Sequence, residues 1–119
     1  MENRSLDATR LLAHVLLGSG KYAAARDLLR GVAEAAPDDA RARRNLVHAL
    51  LCLGEYAEAE PEARALASRE AGGDMAVALF FHAHALWGCG RTVESRAVVD
   101  RYAELLAEDK GSPRNNMIS

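Results

Sequence analysis

Only two cysteines occur in this chain, Cys52 and Cys89. They form no CxxC pair, which argues against a disulfide framework or a cysteine-based zinc site. Both stand in apolar helical runs, so buried free thiols are the expectation. Proline appears at three places only, 37, 61 and 113, which leaves long stretches open to helix. β-Branched residues are few, and no stretch alternates apolar and polar with period two, so no strand is predicted. There is no excess of positive charge: the net charge is −2 and the pI about 6.1. That balance gives no general pull toward nucleic acid or anionic lipid. The longest nearly uncharged run, 72–90, is broken by Asp74, His82 and His84, so no membrane-inserted segment is expected. The N-terminal MENRSLDATR is polar and charged and does not read as a secretory leader, so the expected location is the cytoplasm. No phosphate-binding glycine loop followed by lysine occurs, and no HExxH.

What is present is alanine, arginine and a repeat. The 24 alanines favour helix. Half of the residues are apolar, enough for one folded domain with a modest core. Arginine outnumbers lysine 13 to 2. The guanidinium suits two-pronged recognition of carboxylates, although GC-rich coding would give the same bias.

Residues 11–29 read LLAHVLLGSGKYAAARDLL, and residues 45–63 read NLVHALLCLGEYAEAEPEA. His14, Gly20, Tyr22 and Ala25 return, 34 residues on, as His48, Gly54, Tyr56 and Ala59. A third copy, FHAHALWGCGRTVESRAVV, places His84 and Gly90 in the same register. Punctuation by glycine and proline predicts six helices, at 8–17, 21–35, 40–53, 55–70, 75–87 and 91–107. Asp38 or Asp39 is the expected cap of the third, and Asp74 that of the fifth. The polar, turn-rich residues 108–119 are predicted to form a flexible tail.

A helical pair repeating every 34 residues resembles the tetratricopeptide repeat. That family has a small residue where the two helices cross, a glycine at the turn, an aromatic two residues later, an alanine three further on and a terminal proline. Repeat one supplies Ala13, Gly20, Tyr22, Ala25 and Pro37. Repeat two supplies Val47, Gly54, Tyr56 and Ala59, with Ala71 in the place of the proline. Repeat three keeps Ala83 and Gly90 but has Thr92 for the aromatic and Ser95 for the alanine. The fold this implies is all-α: three repeats, about 6–39, 40–74 and 75–107, forming a single domain over 1–107. Its six antiparallel helices would make a short right-handed superhelix with a concave groove. Pro61 departs from the pattern and predicts a kink or a late helix start, since its ring opposes the carbonyl of Ala57. The sixth helix must act as its own polar cap; otherwise a partner or a second copy, as in a homodimer, covers an open apolar edge.

The resemblance implies a protein-binding function without cofactor or catalysis. The family's ligand-contacting positions, on the first helix of each pair, fall here on Asp7, Arg10, His14 and Leu17. In the second unit they fall on Arg41, Arg44, His48 and Leu51, and in the third on Val77, Phe80, His84 and Trp87. The three histidines would form a row between a basic and an aromatic end. A shared metal is unfavourable, because first helices pack roughly 10 Å apart and zinc holds ligands at about 2 Å. Cys52 and His48 are one helical turn apart, but no third orienting group accompanies them. The carboxylate clamp for Hsp70 and Hsp90 C-termini is incomplete: Arg10 and Asn45 match it, but His14, Val77 and Phe81 do not.

More narrowly, the length and the stretches LLAHVLLGSGKYAAARDLL, PDDARARRNLVHALLCLGEYAEAEPEA and RAVVDRYAEL are similar to the small tetratricopeptide chaperones of bacterial type III secretion, the YscY-like ones above all. That resemblance implies a partner: a small YscX-like secretion substrate, or a segment of it, held in the groove. The alternative is a general protein-interaction scaffold with no role in secretion.

Ala59 stands where the two helices of the second unit must approach closely. Ala59→Leu should therefore overpack the crossing and cost about 1–3 kcal/mol. A thermal melt followed by circular dichroism checks this; an unaltered curve contradicts the repeat register.

Overall fold

The computed structural model describes residues 3–69 and 72–118. Six helices follow one another: α1 (Asn3–Gly18), α2 (Tyr22–Ala35), α3 (Ala40–Cys52), α4 (Tyr56–Arg69), α5 (Gly72–Gly88) and α6 (Thr92–Ile118). Among the described residues there is no strand. Each helix packs on the next, and the first helices of the pairs also touch, α1 on α3 and α3 on α5. Among the described residues the second helices make no such approach, α2 to α4 or α4 to α6. A layer of touching first helices under splayed second helices curves toward the first, so α1, α3 and α5 line the inner side.

Each pair reverses at a glycine with positive φ, +78° at Gly20, +75° at Gly54 and +80° at Gly90. This left-handed backbone ends a helix without a Cβ penalty. The residue after each glycine then bonds back to the helix: the amides of Lys21, Glu55 and Arg91 donate to Leu16, Leu50 and Leu86 at 2.8, 2.9 and 2.9 Å. The three turns are thus one geometry used three times.

The positions that define the repeat are buried. Ala13, Val47 and Ala83 sit in the crossings, opposite Ala25, Ala59 and Ser95. Ser95 is tolerated there because its hydroxyl donates to the Ala83 carbonyl at 2.8 Å, which satisfies a polar group inside the packing. Leu29, Val32, Leu46, Leu50, Leu66 and Leu79 fill the continuous core between units.

The tyrosines two residues past the first two turn glycines, Tyr22 and Tyr56, reach the following unit. A Cβ built on Gly88 would lie 2.2 Å from Cγ of Tyr56, so the ring rests on bare backbone. Tyr22 approaches Cys52, the counterpart of Gly88, and the nearby thiol pushes the phenol above its ordinary pKa. The third unit has Thr92 here, and no further unit stands beyond it to receive an aromatic.

Several boundaries differ from expectation. α4 starts at Tyr56, ahead of Pro61, so Pro61 does not delay it. Pro61 and Ala57 are both exposed, so the carbonyl left without a donor faces water rather than the core. α5 starts at Gly72, which puts Asp74 in the first turn rather than at the cap; its charge still favours that end of the helix dipole. Asp39, not Asp38, caps α3 and accepts from the Ala42 amide at 3.0 Å. Cys52 and Cys89 are exposed, not buried, because they stand at helix ends beside the chain reversals. α6 runs on to Ile118 through the residues expected as a tail, since an established helix propagates more easily than it starts. Ala71 lies outside the described residues.

Gly88→Ala separates two effects. In a helix, alanine is favoured over glycine by up to about 1 kcal/mol, whereas overpacking costs about 1–3 kcal/mol. The substitution should lower the melting temperature in the natural chain and raise it in a Tyr56→Ala background. The same sign in both backgrounds would contradict the Tyr56 contact.

Candidate partner-binding groove

The inner face carries a charged end and an aromatic end. At the charged end Arg10 donates through Nε to Asp39 at 2.7 Å and through Nη1 to Asp7 at 2.8 Å. Burial pushes the Asp39 carboxyl up, but the Ala42 amide and then Arg10 outweigh it and hold it below its usual range. Asp39 therefore caps α3 and ties α3 to α1 with the same carboxylate. A cavity of about 260 Å³ opens here, lined by Arg10, Leu11, His14, Asp39, Arg41 and Asn45 among others. Arg41 is exposed on this face. Arg44, one turn on, lies 3.7 Å from Asp74 of the next unit. The basic end of the sequence reading is therefore partly neutralised by its own carboxylates.

The histidine row has a structural explanation. His48 lies against the Tyr22 ring of the preceding unit, centroids 6.4 Å apart, and stacks on Phe81 at 6.1 Å. His84 repeats this with Tyr56 at 5.8 Å. Each of these histidines receives the tyrosine of the unit before it. His14, in the first unit, is exposed. His82 points elsewhere: its Nε2 donates to Glu60 at 2.9 Å. Among the described residues no three His, Cys, Asp or Glu side chains gather as metal ligands.

At the aromatic end the rings run on. Phe80 meets Phe81, His84 and Tyr102 at 6.1–6.3 Å, and His84 meets Trp87 at 6.4 Å. Phe80 and Trp87 are nonetheless 51 % and 60 % exposed. Beside them lies a pocket of about 420 Å³ formed by Phe80, Ala83, His84, Trp87, Ser95 and Val99. Large exposed rings around an apolar hollow are the arrangement that anchors a partner's apolar side chain.

Of the twelve positions read from the sequence, Asp7, Arg10, His14 and Arg41 come together at the charged end, Arg44 reaches toward Asp74 of the third unit, and Phe80, His84 and Trp87 gather at the aromatic end, with His48 between. Val77 is exposed on α5 and Leu17 half-buried on α1. Leu51 is a correction: it belongs to the core, because the third unit packs over it, while its counterpart Trp87 has no such cover. Tyr22, Tyr56 and Tyr102 were missed as members of the ring chain, as was Val99 as a pocket wall. Their positions lie on or next to second helices, and reading only the first helices passed over them.

No helix of the described residues is long and apolar enough to cross a membrane. No curated protein sequence matches the chain. A family model described as tetratricopeptide repeat matches residues 16–79, and a second of the same description matches residues 76–101. The first spans more than half of the chain, and its repeat is the helix pair seen here, so this chain belongs to the tetratricopeptide repeat family, whose members are protein-interaction scaffolds.

Proposed function

We propose that the chain holds a segment of one protein partner along the inner face, with an apolar side chain anchored between Phe80 and Trp87 and polar contacts supplied by Arg41 and His14. The observation that carries this reading is the pair of exposed aromatic rings beside the α5–α6 pocket. Isolated folded chains rarely leave such rings in water unless a partner covers them. The finer reading is a small chaperone of type III secretion that keeps an export substrate soluble and delivers it. It rests on the similarity of the three sequence stretches to the YscY-like chaperones. No cofactor takes part.

Co-expression of the tagged chain in its native host, with mass spectrometry of what co-purifies in fixed ratio, tests the secretion reading. A single small export substrate supports it; secretion-unrelated partners, or none, contradict it. The site itself is tested with Trp87, the chain's single tryptophan. Its emission should shift to the blue when the co-purified partner binds. Trp87→Ala should weaken binding by about 2 kcal/mol or more, roughly thirtyfold, with helicity unchanged. Arg44→Glu should weaken it less. Unchanged affinity in both variants would remove them from the site.

A further inference from the structure

At each junction between units a turn residue pairs with a second-helix residue, and the sign of the pair is reversed from one junction to the next. At the first, Arg26 Nη1 donates to Glu55 Oε2 at 2.8 Å. At the second, Arg91 Nη1 lies 3.4 Å from Glu60 Oε1. Arg26 and Glu60 both stand six residues after a turn glycine, and Glu55 and Arg91 one residue after. Lys21 occupies this receiving position in the first unit, with the same backbone bond.

The apolar part of the receiving face is there as well. Leu46 and Ala49 of α3, against which α2 packs, are 4 % and 0 % exposed, whereas their counterparts on α1, Leu12 and Val15, are 50 % and 53 % exposed. At the opposite end Arg96 and Val99 are exposed where the second unit has Glu60 and Ala63 buried. Two copies stacked end to end would bring Arg96 against Lys21, cation on cation.

We propose that the α1 face of Leu12, Val15 and Lys21 is a docking surface for an amphipathic helix of another protein. That helix carries a carboxylate placed as Glu60 is toward Arg91, followed three and seven residues later by small apolar side chains, as Glu60 is by Ala63 and Ala67. The face rejects a second copy of this chain, because that copy presents Arg96 instead. Close like charges at an interface suppress the wrong partner, and opposite charges select the right one. The surface is distinct from the groove, and either reading can fail without the other.

The test uses the full chain, with the R96E variant serving as the acidic helix. Light scattering and sedimentation are run on the natural chain, R96E, K21E and the K21E/R96E double variant over a concentration series. R96E and K21E each create an opposite-charge junction and should self-associate at least about tenfold more tightly than the natural chain. The association should weaken as salt is raised. The double variant restores a like-charge junction and should behave as the natural chain does. Single variants that match the natural chain would overturn the proposal. So would equal association of all four, which would make a second copy the occupant whatever its charge.

Discussion

No helix pair in this chain can bury its own apolar face, and everything else follows from how one pair seats on the next. The seat has two parts. A tyrosine from the turn reaches the following unit, where Tyr56 rests on the bare backbone of Gly88 and against His84. An ion pair then fixes the register, and the Glu60 carboxylate is its most demanding member. It is buried, and Arg91, His82 and the more distant Arg64 surround it. A charge so placed is tolerated only when paired. By contrast Arg26 meets Glu55 at a more open site, and Glu55 Oε1 lacks a hydrogen-bond donor.

The seating also shapes the binding face. Because the first helices touch and the second splay, long side chains bridge the outer gap. Arg30 of α2 grips Glu58 of α4 through two nitrogens of its planar fork. Arginine reaches a carboxylate in this two-pronged way and lysine does not, which gives the arginine excess a structural use. Exposed pairs of this kind add little each, about 0–1 kcal/mol. Their contribution is to tie α2 to α4 across the outer gap. The charged end is already partly occupied by its own carboxylates, Asp7, Asp39 and Asp74.

Most of the fold was legible because its signals are local. Gly20, Gly54 and Gly90 mark the turns, and Ala25 and Ala59 mark the crossings, by side-chain size alone. The twelve candidate groove positions come from the repeat resemblance rather than from packing, and Leu51 among them lies in the core. What could not be read depends on neighbours. Leu51 and Trp87 hold the same place in their units, yet one is core and the other exposed, because only one is covered by a further unit. The cysteines sit in apolar runs, but at helix ends that open to water. The histidines suggested a functional row, whereas two of them are the receiving surface for the preceding tyrosine. Pro61 signals a break by its type, and only its exposed position makes it harmless.

The central claim is that paired side chains key each unit to the next. A charge swap at the second junction tests it most directly. Unfolding free energies are measured for E60R, R91E and the E60R/R91E double variant. Breaking a buried pair from one side costs on the order of 3–5 kcal/mol, and a partly exposed partner such as Arg91 should bring the loss below that. The account predicts a clear loss in each single variant and recovery of most of it in the double. A double variant as unstable as the sum of the two singles would show that the residues do not act as a pair, and would contradict the account.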